Sequence, residues 1–303
     1  MKGFSALVAR LLPLLPRRFV WAVGRRYIAG AELEDALRYA ESFAARGIWS
    51  TLDVLGEFVT DWESAERYAH QAEAVLEAIS RRQLPAYLSV KLTALGVDID
   101  REASYRLLRH LVERARQRGL FVRIDMENSP YTDVTLAFYR RLREEHYDNV
   151  GIVIQAYLRR SRADIESLLP LRPAIRLCKG VYIEPPEIAY QSREEVRRSY
   201  KELLELLLRS GVRTAIATHD EELLQFAEEL LRRFDIPPEQ YEFQMLLGVR
   251  PERRELLHRR GHPVRVYIPF GHNWYGYSLR RLRENPNIVG HILRAMFGLD
   301  RQR

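Results

Sequence analysis

The chain repeats one local pattern, in which an amphipathic helical segment ends at a glycine and a short apolar run follows. The pattern is clearest in "AARGIWSTLDVLG", "RQRGLFVRIDMEN", "LRSGVRTAIATHD" and "HRRGHPVRVYIPFG". Their glycines, Gly47, Gly119, Gly211 and Gly261, stand where the residue after a helix adopts a left-handed conformation, which glycine does without steric penalty. The pattern therefore predicts helices that are each followed directly by a buried strand.

Four further apolar runs, in "AYLSVKLTALG", "VGIVIQAYL", "AIRLCKGVY" and "YEFQMLLG", have the same character without the glycine. Helical patterns separate the runs, for example over residues 61–82, 101–118 and 193–210. Apolar strands that alternate with amphipathic helices indicate a parallel sheet covered by helices. Eight strands are predicted, near residues 48–54, 86–92, 120–126, 150–156, 174–179, 212–217, 241–246 and 264–269.

Eight β/α units over roughly 250 residues are typical of a (β/α)8 barrel. An open doubly wound sheet would usually carry a glycine-rich phosphate loop after its first strand, and "LDVLGEF" is not such a loop. We therefore predict an α/β fold of the TIM-barrel type. Residues 1–46 are predicted to form an N-terminal helical extension, and residues 47–303 the barrel with a closing helix.

Charge and cysteine content indicate which kinds of ligand and which cellular compartment suit this chain. The 303 residues include 48 Lys and Arg against 41 Asp and Glu, a net charge of +7, which suits an anionic ligand. The basic residues are spread along the chain, with no basic block interleaved with aromatics, and this argues against nucleic-acid binding. The single cysteine, Cys178, excludes an internal disulfide and indicates a reducing compartment, hence a cytoplasmic protein. Its apolar run favours a buried thiol.

The N-terminal stretch "MKGFSALVARLLPLLPRRFVWAVGRRY" looks at first like a signal peptide. Its apolar run is interrupted by Arg10, Pro13 and Pro16, and no small-residue cleavage site follows. The run is also shorter than the roughly 18 apolar residues that a membrane helix needs. We interpret it as a basic amphipathic segment, which either packs on the barrel or contacts a membrane surface peripherally.

The active sites of such barrels lie at the carboxyl ends of the strands. "YGYSLRRLRENP", just after the last strand, carries Arg280, Arg281 and Glu284. Paired arginines usually form a solvated helix face, but this position brings them within reach of the barrel mouth. Together with the basic strand-end residues they would make a cationic mouth suited to carboxylates and phosphates. The polar residues at the strand ends are Lys91, Asp125, Glu127, Gln155, Tyr157, Arg176, Lys179, Tyr182, Thr218, His219, Asp220, Gln244 and Tyr267.

These residues alone leave more than one chemistry open. Lys91 or Lys179 could form a Schiff base, as in aldolase-type barrels acting on an anionic substrate. Asp125, Glu127, His219 and Asp220 could hold a divalent metal, although metal barrels usually gather several histidines at their strand ends. The residues by themselves indicate only a barrel enzyme for an anionic ligand.

Taken in order, "YLSVKL", "VRIDME", "VIQAYL", "IRLCKGVY", "ATHD", "FQML", "VYIPFG" and "YGYSLRRLRENP" resemble the FAD-dependent proline dehydrogenase family, in its monofunctional bacterial branch. The resemblance runs from about residue 30 onward. It implies a distorted (β/α)8 barrel with FAD at its mouth. It also implies oxidation of L-proline to Δ1-pyrroline-5-carboxylate by hydride transfer from C5 to flavin N5, followed by electron transfer to a membrane quinone.

The resemblance also implies roles for the substrate-binding residues. Arg280 and Arg281 match the pair that clamps the proline carboxylate, and Glu284 matches the acid that pairs with them. Lys91 matches an ion-paired lysine at the substrate pocket, and Tyr267 matches an aromatic packed on the substrate ring. Asp125 matches the catalytic aspartate that organises the pocket, which Leu246 and Tyr277 would wall.

The cofactor residues follow from the same resemblance. Arg176 matches the catalytic arginine near flavin N5, where it would stabilise the negative charge that develops on reduction. Tyr182 matches an aromatic near the site, and core packing is an equally good interpretation. Cys178 departs from the family's usual valine, a small apolar difference. The other implied FAD contacts are Met126, Gln155, Lys179, Gly180, Val181, Thr218 and His219.

Overall fold

The computed structural model describes Val20, residues 24–275 and Ser278. Within these residues, eight parallel strands form a closed barrel in chain order, and β1 pairs with β8 to complete it. The predicted barrel is confirmed. The strands are β1 Trp49–Val54, β2 Ala86–Val90, β3 Val122–Ile124, β4 Val150–Gln155, β5 Ile175–Cys178, β6 Thr214–Ala217, β7 Tyr241–Leu246 and β8 Val264–Phe270.

Eight α-helices surround the barrel in the described part of the chain: α1 Leu33–Ala44, α2 Trp62–Arg81, α3 Arg101–Arg116, α4 Thr132–Glu144, α5 Ser161–Leu168, α6 Arg193–Arg209, α7 Glu221–Arg233 and α8 Pro251–Arg259. Short 3-10 turns lie at Ser129–Tyr131 and Leu169–Leu171. Each α-helix turns an apolar stripe toward the strands, which explains why the strand residues are buried on both faces. No helix in these ranges is long and apolar enough to cross a membrane.

Local sequence signals start and stop these helices. Asp61 and Asp100 cap α2 and α3 through hydrogen bonds to backbone N–H groups, and Ser192 with Glu195 forms a capping box at α6. Each cap is worth about 1 kcal/mol. The four predicted helix-ending glycines adopt left-handed conformations, with φ between 66° and 85°. Helix ends and strand starts therefore follow from residues that can be read in the sequence.

Helix α1 covers the seam at which the barrel closes. It packs on β1 and β8, and it buries Ala36, Leu37, Ala40 and Phe43 in the main core. Replacing a buried leucine or phenylalanine such as Leu37 or Phe43 by alanine typically costs about 2–5 kcal/mol of stability. The predicted division of the chain at residue 46 stays a prediction. Helix α1 shares one hydrophobic core with the strands that follow.

Candidate active site

A cavity of about 610 Å³ lies at the carboxyl end of the barrel. Arg280, Arg281, Glu284 and Tyr277 lie outside the described residues. All the other residues to which the family resemblance assigns a role line this cavity: Lys91, Asp125, Met126, Gln155, Arg176, Lys179, Gly180, Val181, Thr218, His219 and Tyr267, together with Tyr182 and Leu246. Side chains from seven strands or their loops thus converge, as the strand-end argument predicts.

Asp125 is the centre of the hydrogen-bond network at the bottom of the cavity. Its Oδ1 accepts hydrogen bonds from Arg176 Nη1 at 2.6 Å and from Ser89 Oγ at 2.8 Å. Its Oδ2 accepts from the Tyr267 hydroxyl at 2.8 Å. Burial opposes ionisation, but the Arg176 guanidinium, the Lys91 ammonium and the hydrogen bonds from Ser89 and Tyr267 together hold the pKa of Asp125 below its ordinary value. Asp125 is therefore a fixed anion that orients an arginine and a tyrosine.

Lys91 is held by a carboxylate that the motifs did not single out. Its Nζ donates to both oxygens of Asp53, at 2.8 and 3.0 Å, and lies 3.8 Å from Asp125 Oδ2. Burial alone would lower the pKa of Lys91, but the carboxylates of Asp53 and Asp125 together hold that pKa well above the ordinary value. A protonated amine is a poor nucleophile, so the geometry speaks against a Schiff base at this lysine. A charged residue inside the apolar run "WSTLDV" was the available signal for Asp53.

Two buried polar atoms next to the cavity have no hydrogen-bond partner among the described residues. They are Gln155 Oε1 and Arg176 Nε. The other end of the Gln155 amide is fixed, because its Nε2 donates to the Met126 carbonyl at 3.0 Å. Buried polar groups are nearly always satisfied in native proteins, so unused ones beside a cavity are typical of a site for a polar ligand. This fits a planar cofactor with hydrogen-bonding edges.

The far side of the cavity is cationic. Lys179 Nζ lies 3.1 Å from Asp220, and Arg197 and Arg193 approach the same carboxylate at 2.8 and 3.6 Å. Burial opposes ionisation of Asp220, but hydrogen bonds from Arg197 and Lys179 lower its pKa to about 2. Even with Glu222, which also pairs with Arg197, two carboxylates face these three cations, and the surplus positive charge suits phosphate groups. The turn itself needs Gly180 (φ 106°), because a Cβ there would lie 2.1 Å from the Tyr157 ring.

Two strand-end residues have structural contacts that the sequence did not reveal. His219 Nε2 accepts a hydrogen bond from the Leu246 N–H at 2.9 Å, so this nitrogen is occupied by the backbone. Glu127 was predicted at the mouth, but it is buried, bonds to Thr93 N at 3.0 Å and does not line the cavity. Among the described residues no group of three or more acidic, histidine or cysteine side chains is placed to hold a metal ion.

Tyr267 and Arg176 lie deeper in the barrel than the residues that follow the strands. Both sit within their strands, and the Arg176 guanidinium carbon is 5.2 Å from the centre of the Tyr267 ring. Lys91 comes one residue after β2, and Asp125 one residue after β3. The site is thus built in two layers, with aromatic and guanidinium groups inside the barrel and lysines and turns above them.

Comparison with known proteins agrees with the motifs. The proline dehydrogenase family model matches residues 36–292. Proline dehydrogenase 1 of Bacillus subtilis (strain 168) is 36% identical over 272 residues, covering 90% of each chain. The proline dehydrogenase of Deinococcus radiodurans is 34% identical over 286 residues, covering 93% of this chain and 92% of that one.

The structural neighbours are longer proteins. Proline utilization A from Bdellovibrio bacteriovorus, inactivated by N-propargylglycine, superposes with a TM-score of 0.82 at 25% identity. That match covers 93% of this chain but only 34% of the other, so this chain spans about a third of it. The aldolase alternative finds no support in these comparisons. The chain belongs to the proline dehydrogenase family, oxidoreductases that act on the CH–NH group of proline.

Proposed function

We propose that this chain binds FAD at the barrel mouth and oxidises L-proline to Δ1-pyrroline-5-carboxylate, the first step of proline breakdown. The observation that carries the proposal is the cluster of Asp125, Arg176, Tyr267 and Lys91 at the bottom of one cavity. Family membership supplies the substrate, and the unused polar atoms of Gln155 and Arg176 are consistent with a polar planar ligand above this cluster.

The substrate carboxylate needs a cationic partner. In our proposal Arg280 and Arg281 form a bidentate clamp on it, and Glu284 offsets their mutual repulsion. Tyr267 supports the ring of proline, and its hydroxyl is held by Asp125. Lys91 remains protonated by virtue of Asp53, so it contributes positive charge and positions Asp125 rather than accepting a proton. Holding the ring in one orientation is what makes transfer from a single carbon efficient.

The cofactor residues divide between an inner and an outer part of the cavity. Gln155 and Met126 would meet the ring system, while Lys179, with Gly180, Val181, Thr218 and His219, would hold the phosphate and ribose portions. FAD, when bound, supplies the acceptor for the hydride that leaves C5 of proline. Arg176, fixed by Asp125, would provide a positive charge to the cofactor in this cavity. A preorganised charge of this kind stabilises the developing negative charge without reorganisation.

The visible spectrum of the purified full-length chain tests this proposal. We expect flavin absorbance that L-proline bleaches under anaerobic conditions, and no bleaching by buffer alone. The Glu228→Gln variant, altered at a residue that does not line the cavity, serves as a control and should bleach as the parent does. A chain that stays colourless when FAD is supplied, or a flavin that L-proline never reduces, would refute the proposal.

We further propose that the electrons pass to a quinone. We also propose that the cytoplasmic enzyme contacts the membrane surface through its basic N-terminal segment. Apart from Val20 and residues 24–27, this segment lies outside the described residues. Its leucines would enter the interface and its arginines would meet anionic headgroups. Co-sedimentation with anionic vesicles should be stronger for the full chain than for one that starts at Ala31. Equal binding by both would contradict membrane contact through this segment.

A further inference from the structure

A tyrosine inside the barrel contacts the arginine that lies beside the proposed acceptor. Tyr87 is on β2, and by the two-residue period of a strand it faces inward with Ser89, which bonds Asp125. The Tyr87 side chain is buried, and its oxygen accepts hydrogen bonds from Gln244 Nε2 at 2.6 Å and, more weakly, from Arg176 Nη2 at 3.4 Å. Arg176 is thus held by Asp125 on one side and contacts Tyr87 on another.

The groups around Tyr87 come from several strands and carry excess positive charge. Arg176 approaches from β5, and the guanidinium carbons of Arg265 on β8 and Arg123 on β3 lie 4.0 and 5.8 Å from the centre of the Tyr87 ring. The nearby carboxylates are Glu242 on β7, which binds Arg265 at 2.9 and 3.0 Å, and Asp125, which binds Arg176. Three buried guanidinium groups therefore face two carboxylates.

Among the described residues, the groups that hydrogen-bond to the Tyr87 oxygen include the amide NH2 of Gln244 and the guanidinium of Arg176, and both are donors. An oxygen that accepts from such groups is favoured in its ionised form. Burial alone would raise the pKa of Tyr87, but the positive charges of Arg176 and Arg123 outweigh it and lower this pKa to about 8. Geometry, charge count and pKa agree on a phenol that ionises unusually easily.

We propose that Tyr87 is a positioning residue for the oxidation: its oxygen holds Arg176 from inside the barrel, and its ionised form supplies the counter-charge that the three buried arginines lack. This inference rests on the proposed function, because the role of Arg176 does. Ionisation of Tyr87 weakens the positive field of Arg176 at the mouth. Reduction of the cofactor by proline should therefore slow as the pH rises through the Tyr87 transition.

The ionisation can be measured without turnover. In the full-length chain labelled with 13C at tyrosine Cζ, one resonance should titrate near pH 8, and it should vanish in Tyr87→Phe. The control Tyr105→Phe removes a buried tyrosine that bonds Glu145 on the outer helices, and it should leave that resonance in place. In Gln244→Leu, which removes one donor, the midpoint should rise by about one pH unit. If Tyr87→Phe folds and no resonance that titrates near pH 8 is lost, the proposal is overturned. If Tyr87→Phe does not fold, an unchanged titration midpoint in Gln244→Leu overturns it instead.

The positioning role has its own readout. The rate of cofactor reduction by proline should fall above about pH 8 in the parent chain. This fall in rate should be absent from Tyr87→Phe and present in Tyr105→Phe. The same fall in rate in parent and Tyr87→Phe would overturn the positioning role. A chain that never oxidises proline refutes the proposed function instead, and the NMR titration then still decides whether Tyr87 ionises early.

Discussion

Two groups of ion-paired side chains in this molecule each contain buried carboxylates and arginines but differ in what surrounds them. The mouth cluster consists of Asp53, Lys91, Asp125 and Arg176. The shell cluster, between the outer helices α7 and α8, consists of Glu228, Arg253 and Arg260. In it, Glu228 Oε2 accepts from Arg253 at 2.5 Å, and Oε1 accepts from Arg260 at 2.6 Å.

The difference lies in whether the charged side chains line the cavity. Both oxygens of Glu228 are occupied, and no member of the shell cluster lines the cavity. Lys91, Asp125 and Arg176 of the mouth cluster line a cavity of about 610 Å³. Arg176 Nε and Arg253 Nε both lack a hydrogen-bond partner among the described residues, but only Arg176 lines this cavity. Breaking a buried ion pair costs about 3–5 kcal/mol of stability in either place. Only the mouth cluster should also affect the reaction, and the following variants test that distinction.

The largest effect is expected from Arg176→Met compared with Arg253→Met. Losing a preorganised charge beside the acceptor should slow cofactor reduction by roughly 100- to 1000-fold. Arg253→Met removes a buried arginine of the shell cluster, so it should lower the unfolding temperature and leave the rate of the folded enzyme nearly unchanged. Anaerobic stopped-flow spectroscopy and thermal unfolding measure the two quantities. Equal rate losses would remove the distinction between the clusters.

Arg280→Met and Arg281→Met extend the comparison to the arginines beyond the described residues. Losing one arm of a carboxylate clamp is worth about 2–5 kcal/mol when the partner stays buried. The KM for proline should rise by roughly thirty-fold or more, while FAD affinity changes little. Arg259→Met removes an exposed arginine of another Arg-Arg pair and serves as the control. If the KM for proline did not move, Arg280 and Arg281 would be an ordinary solvated face.

Tyr267→Ser should have a smaller effect, on selectivity. The shorter side chain widens the pocket, so the preference for proline over 4-hydroxyproline, as a ratio of kcat/KM values, should fall roughly tenfold. Tyr267→Phe keeps the ring and loses only the hydroxyl that bonds Asp125, so it should retain the preference. An unchanged ratio in Tyr267→Ser would show that this ring does not wall the substrate pocket.

The smallest effect concerns acid stability. The pKa of Asp220 is lowered to about 2, so the stabilisation from its ion pairs is present above its ordinary pKa and is lost as the pH falls toward 2. The Asp220 side chain is buried, but its partners Lys179 and Arg193 are partly exposed, so solvent screens their charges and this stabilisation is about 1 kcal/mol. The free energy of unfolding of Asp220→Asn should therefore lie below that of the parent at about pH 6 and approach it near pH 2. A difference that does not depend on pH would contradict this assignment.

The sequence predicted the layout of the barrel better than the pairing inside it. Strand number, order and approximate ends follow from local apolar runs and helix-ending glycines, and strand-end position was enough to collect Lys91, Asp125 and Arg176. The partners Asp53 and Tyr87 were missed because they lie within strands, where a polar residue looks like an ordinary interior position. Asp53 meets Lys91 only because β1 and β2 pair in one register, with Asp53 opposite Ser89. Glu127 shows the opposite error: this acidic residue was predicted at the mouth from its position after a strand, but it is buried and accepts a hydrogen bond from Thr93 N.

The most direct test of the central claim is a crystal structure of the FAD-bound chain with a proline analogue that cannot be oxidised. We expect the guanidinium groups of Arg280 and Arg281 to lie within hydrogen-bonding distance of the analogue's carboxylate, in the same cavity as Arg176 and Asp125. Arg281 on the opposite face of the molecule from Arg176, or the analogue bound away from this cavity, would contradict it.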